Sequence, residues 1–110
     1  MNNVLIIHAF IGPVLLIITL LIKRYPPKKI NMLYGYRTSR SMQSEAAWKE
    51  GNEFSAALML RLSLGIILLQ LIAITFLKME TAILVSVGSL LFSLGLLIFL
   101  TERHLKHKGF

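Results

Sequence analysis

Ile30 to Asn52 reads INMLYGYRTSRSMQSEAAWKEGN and is the one long polar segment in a chain otherwise built of apolar runs. Its first half, Ile30 to Arg40, carries turn signals at Asn31 and Gly35, and a glycine between two tyrosines points to a positive φ or a close backbone approach. Its second half changes character. Ser41 or Ser44 can cap a helix whose first turn holds Glu45 at the positive end of the dipole. Glu45, Lys49 and Glu53 then follow at i, i+4 spacing as a solvated stripe, while Ala47, Gly51, Phe54 and Leu58 share the other side. That pattern predicts an amphipathic stretch lying at a membrane surface.

The flanking runs decide the class. Val4 to Ile22 holds no formally charged residue and is long enough to cross about 30 Å of hydrocarbon as a helix. Lys23 and Arg24 follow this run instead of preceding it, and it exceeds an h-region of about 7–15 residues, so a span is expected here and not a cleaved signal peptide. Pro13 predicts a kink near its middle. Tyr25 suits the headgroup level, and Pro26-Pro27 forbids continuation. A second run extends from Phe54 to Leu77 and a third from Thr81 to Thr101. Only Lys78, Met79 and Glu80 join them, which implies antiparallel neighbours. The expected fold is all-α: a single membrane domain over 1–110 with three transmembrane helices, near 4–22, 54–77 and 81–101. The polar segment 23–53 contributes an interfacial amphipathic helix between the first and second spans.

With 110 residues and a mean hydropathy of +0.71, the chain is too apolar for an ordinary soluble domain. Cysteine is absent, which removes disulfides, thiolate nucleophiles, zinc-thiolate sites and iron-sulfur clusters. The net charge of +7 is explained by where the cations lie. Lys23, Arg24, Lys28, Lys29, Arg37, Arg40, Lys49 and Arg61 cluster between the first two spans, and Arg103, Lys106 and Lys108 follow the third. Lys78 stands alone on the opposite side. The bias places the N-terminus outside and both the polar segment and the C-terminal tail in the cytoplasm. It leaves nothing for a nucleic-acid partner to account for, and anionic headgroups are the expected counter-charge.

Three polar residues inside the runs need partners or an exit. His8 lies about one turn inside the outer end of the first span and suits local packing or a relay. Arg61 can snorkel to the headgroups or pair, with Glu50 the candidate because eleven residues return nearly to the same helix face. That pair requires a break, since the two lie about 16 Å apart along a straight axis. Gln70 sits deeper. Ser89 and Ser93 form a small-xxx-small pair that permits close helix approach. The tail ERHLKHKGF reads as a solvated basic anchor, with His104 and His107 lacking further ligands for a metal.

No HExxH, phosphate-cradling loop, Ser-His-Asp set or intramembrane carboxylate appears, so neither an enzyme nor a cofactor is expected. What the central segment offers is Arg37, Thr38, Ser39, Arg40 and Ser41 beside Tyr34, Tyr36 and Trp48, a set suited to headgroups, a peptide carboxylate or a phosphate, or to simple anchoring. Asn31, then Gly35-Tyr36-Arg37-Thr38, then Ser41, Trp48 and Asn52 resemble the signature of the SdpI family of bacterial membrane proteins. The resemblance covers about Pro27 to Asn52. It implies a multi-pass protein of the bacterial cell membrane related to immunity proteins that protect a producing cell from its own toxic peptide, with Asn31, Gly35, Tyr36, Arg37, Thr38, Trp48 and Asn52 as motif positions.

The leading expectation is a binding module that recognises or shields against a membrane-active toxic peptide, or holds a regulatory protein. The alternative is a small oligomeric transporter or channel-like subunit, to which Pro13, Gln70 and the small residues of the third span are relevant. Three spans bury little surface among themselves, so a homo-oligomer is expected.

Overall fold

The computed structural model describes the backbone of residues 2–110 and the side chains of residues 10–110. Three helices run α1 (Asn2–Arg24), α2 (Glu45–Phe76) and α3 (Met79–His107), and the described residues contain no strand. Each boundary has a local cause. Helix α1 ends on Lys23 and Arg24, cations at the negative end of its dipole, directly ahead of Tyr25 and the proline pair. The start of α2 is capped by Ser44, whose Oγ accepts from the Ala47 N–H at 3.0 Å. Ser41, the other candidate cap, is instead fully buried inside the connector. Leu77 and Lys78 alone separate α2 from α3, and the two helices pack antiparallel.

Helix α2 is the central element, with α1 on one flank and α3 on the other. Its buried residues, among them Ala47, Trp48, Asn52, Ser55, Ser63, Ile66, Gln70 and Ala73, recur at three- and four-residue steps. Facing it, α3 buries Ala82, Ser86, Ser93, Leu97, Thr101 and Leu105. Small and hydroxyl side chains on this seam let the backbones come close, as packing in lipid requires. On α3 Ser93 and the fully covered Ser86 belong to the seam, whereas Ser89 is only half-buried. The outward faces carry Leu68, Leu71, Phe76, Leu84, Leu91, Phe92 and Phe99, all exposed. Among the described residues, α2 and α3 are each long and apolar enough to cross a membrane.

Two expectations change. The amphipathic stretch is not a separate interfacial helix: residues 45–53 are the first turns of α2, continuous with its apolar length. Ala47, Trp48, Gly51 and Asn52 are buried by the connector and the end of α3, so that face meets protein where lipid was expected. The C-terminal tail is likewise not a solvated strand of charges. Helix α3 runs six residues past Thr101, and Leu105 is wholly covered. It closes with Gly109 at φ 93°, the Phe110 N–H donating to the Leu105 carbonyl at 3.0 Å and the Gly109 N–H to that of Lys106 at 3.1 Å. This is the Schellman arrangement that glycine permits just beyond a helix end.

Candidate functional site

Connector residues 25–44 have no regular secondary structure, yet their backbone groups are systematically engaged by side chains. Asn31 starts the pattern: its Oδ1 accepts from the N–H groups of Leu33 and Tyr34, both at 2.9 Å, and its Nδ2 donates to the Lys29 carbonyl at 3.0 Å. The side chain thus templates a turn, which explains why an asparagine stands there. Arg37 donates from Nη1 to the Met32 carbonyl at 2.6 Å, closing the same turn from the other side. Tyr34 hydroxyl donates to the Tyr25 carbonyl at 2.9 Å and ties the turn to the end of α1.

The second half of the motif lies on α2 and receives the connector. Trp48 is fully buried and its indole N–H donates to the carbonyl of Pro27. One turn on, Asn52 clamps both backbone groups of a single residue, Tyr36. Its Oδ1 accepts from the Tyr36 N–H at 2.6 Å, while its Nδ2 donates to the Trp48 carbonyl at 2.9 Å and the Tyr36 carbonyl at 3.3 Å. Gly35 makes this approach possible. Its φ is 110°, and a Cβ there would stand 2.7 Å from Asn52 Oδ1 and 2.9 Å from Pro27 Cγ.

A polar cluster then joins the connector to the end of α3. Tyr36 hydroxyl donates to Glu102 Oε2 at 2.7 Å and Thr38 hydroxyl donates to the same oxygen at 3.0 Å, while Arg40 Nε lies 3.7 Å from Oε1. Arg40 also donates from Nη1 to the Phe110 carbonyl. Ser41 Oγ accepts from the Thr38 N–H at 2.9 Å and donates toward the Tyr36 carbonyl at 3.0 Å. Burial raises the Tyr36 phenol above its ordinary pKa, and the hydrogen bond and charge of Glu102 raise it further, so it is a donor at any physiological pH. Beside this cluster Glu50 receives His104 Nε2 at 3.1 Å and Lys108 Nζ at 3.3 Å. The His104 hydrogen bond, followed by Lys108, holds the Glu50 carboxyl below its usual range. The His104 ring stacks on Phe54 with centroids 4.0 Å apart.

Gly35, Tyr36, Thr38, Trp48 and Asn52 are thus brought together facing inward, whereas Asn31 and Arg37 stay at the surface. Arg37 caps a backbone carbonyl, and Trp48, Asn52 and Gly35 lock connector to helix. Gln70 is buried and accepts from the Gly12 N–H at 3.0 Å, a contact between α1 and α2 next to the donor-less Pro13. Arg61 is exposed and forms no pair among the described residues; Glu50 is taken by His104 and Lys108 instead, because α2 runs straight through the interval separating it from Arg61. The His8 side chain lies outside the described residues. Glu102 and His104 were not legible as site residues, although a carboxylate immediately after a long apolar run is a signal of a polar contact at a helix end.

The model of the SdpI/YfhL protein family matches residues 28–101, which hold every motif position, all of α2 and α3 as far as Thr101. The chain belongs to this family. It is similar to the uncharacterized protein YfhL of Bacillus subtilis (strain 168), 51% identical over 49 residues, a match that spans 44% of each chain. No solved structure matches. Membership in the SdpI/YfhL family and the two apolar helices together mark a membrane protein.

Glu102, one residue beyond the matched range, couples the connector to α3 through Tyr36 and Thr38, and this is measurable. Glu102→Gln and Tyr36→Phe should each destabilise the protein in detergent, and the double-mutant cycle should give a coupling of about 1–2 kcal/mol, as for a hydrogen bond to a charged acceptor. Additive effects would mean that the two groups do not act on each other.

Proposed function

We propose that this chain is a non-enzymatic, multi-pass protein that protects a bacterial cell against a membrane-active toxic peptide. The observation that carries this reading is the outer surface of the connector. It presents Met32, Leu33 and Tyr34 at 75%, 89% and 45% exposure on a turn pinned by Asn31 and Arg37. Lys28 and Lys29 stand just before it, exposed. A pre-organised apolar tip loses little freedom on binding, and covering Met32 and Leu33 is worth about 1.5–3 kcal/mol each. The tip is therefore suited to an amphipathic peptide already lodged in the bilayer.

The test is survival. Cells producing the protein should outlive cells lacking it when challenged with a panel of membrane-active peptides, and Leu33→Asp should reduce protection at least about tenfold while the protein still reaches the membrane. Equal survival across the panel would count against this role.

The arrangement in the membrane is proposed as three spans with the N-terminus outside and the connector and C-terminus in the cytoplasm. What supports it is that the end of α1, the connector, the start of α2 and the end of α3 share one end of the bundle and carry every Lys and Arg except Arg61, midway along α2, and Lys78. A cysteine at exposed Lys29 should resist an impermeant thiol reagent in intact cells and react after permeabilisation. Labelling in intact cells would invert the orientation.

A further inference from the structure

Where α1 ends and α2 begins, the two helices enclose a groove of about 580 Å³, within the range of small-molecule sites at about 300–1,000 Å³. Three ammonium groups line it, from Lys23, Lys28 and Lys49, together with the carboxylates of Glu45 and Glu53. None of these five side chains forms an ion pair or hydrogen bond among the described residues, although Lys49 stands four residues from each glutamate. The remaining lining is of another kind. Ile22, Pro26, Pro27 and Ala56 supply an apolar floor to which Asn52 adds an amide, and Ile22 closes the apolar run of α1 while Ala56 lies near the start of that of α2.

Charges of both signs above an apolar floor, at the point where two apolar helices emerge into polar sequence, match a molecule with an anion and a cation on one small head and a hydrocarbon body. We propose that this groove is a binding site for a zwitterionic phospholipid bearing a primary amine, its phosphate held by Lys23, Lys28 and Lys49 and its ammonium by Glu45 and Glu53. The acyl chains leave past Ile22 and Ala56 along the exposed sides of α1 and α2. The headgroup class follows from the donor set. An anionic headgroup without an amine pairs with the lysines but brings no ammonium N–H to Glu45 and Glu53. A quaternary amine has no N–H to give them. The site does not depend on any protective role, although Lys28, just before the connector tip, lines it.

The full-length protein is exchanged into mixed micelles containing phosphatidylethanolamine, phosphatidylglycerol and phosphatidylcholine with identical acyl chains in equal amounts, and retained lipid is read by native mass spectrometry. Phosphatidylethanolamine is expected to be enriched about fivefold or more over either competitor, the effect of one or two charge-assisted contacts. Glu45→Gln/Glu53→Gln should erase its advantage over phosphatidylcholine, and Lys28→Gln/Lys49→Gln should lower retention of both phosphatidylethanolamine and phosphatidylglycerol. All four side chains are exposed, and an unchanged thermal transition verifies that each variant is folded. Equal retention of the three lipids overturns the proposal, as does a preference for phosphatidylglycerol or a preference that the glutamate variants leave intact. Displacement by millimolar glycerophosphoethanolamine would make the free headgroup the ligand and overturn the assignment to a lipid.

Discussion

Trp48→Ala is expected to free the connector from α2 while leaving the protein in the membrane, a loss of about 3–5 kcal/mol of local stability by comparison with other buried aromatic truncations. The indole is fully covered and does two things at once. It fills the space between the buried Pro27 and the first turns of α2, and its N–H satisfies the Pro27 carbonyl. Truncation removes both, and the orphaned carbonyl adds to the cavity cost unless water enters. Amides of residues 30–41 should then exchange with solvent orders of magnitude faster, whereas those of residues 60–75 in α2 should be little changed. Trp48→Phe separates the two contributions, keeping most of the volume and losing only the donor, and should cost about 1–3 kcal/mol. If connector exchange in Trp48→Ala matched that of the parent, the tryptophan would not be what holds the connector. Protection against toxic peptide should fall with connector order, because the Met32–Leu33 tip is presented only while the turn is pinned.

The legible parts of this fold were those set by neighbours in sequence. Pro26-Pro27 after Lys23-Arg24 marked the end of α1, Ser44 ahead of Glu45 offered the cap of α2, and two to three residues between apolar runs required an antiparallel pair. Gly35 between tyrosines announced the positive φ that the structure has. What sequence periodicity does not encode is what covers a face. Ala47, Trp48 and Gly51 were correctly placed on one side of a helix, but lipid was assumed to cover them where the end of α3 and the connector do. That error has one source, the tail. Leu105 continues the i, i+4 line of Leu97 and Thr101, and Lys108-Gly109-Phe110 is a helix-closing sequence, yet the density of cations made the segment look solvated. Without α3 extended to His107, the contacts of Glu102 with Tyr36 and Thr38, separated by 66 and 64 residues, have no way to be seen. For Arg37 the sequence left an anionic ligand and simple anchoring both open. A guanidinium on an exposed turn suits an anionic ligand, but a backbone carbonyl five residues earlier is nearer and always present.

Gly35→Ala should be nearly as disruptive as loss of the tryptophan, and through a different cause. An alanine at φ 110° is strained by about 1–2 kcal/mol before any contact is considered. Its methyl would also stand 2.7 Å from Asn52 Oδ1, the atom that accepts from Tyr36 N–H, and 2.9 Å from Pro27 Cγ. Neither neighbour is a free side-chain end: Asn52 is fixed by its own donor contacts to Trp48 and Tyr36, and Pro27 is a buried ring. Overpacking of this kind adds about 1–3 kcal/mol. The strain and the clash together push the connector off Asn52 and uncover the indole beneath it. Trp48 is the only tryptophan, so its fluorescence reports this directly. In the parent protein the emission should be blue-shifted and poorly quenched by iodide; in Gly35→Ala it should shift to the red and quench readily at the same temperature. Asn52→Ala in the Gly35→Ala background distinguishes strain from collision. It removes the oxygen that the methyl meets, so a partial return of the blue-shifted emission would assign the larger share to the clash. No return would assign it to the backbone, and an unshifted emission in Gly35→Ala itself would show that the connector tolerates a side chain at its tightest point.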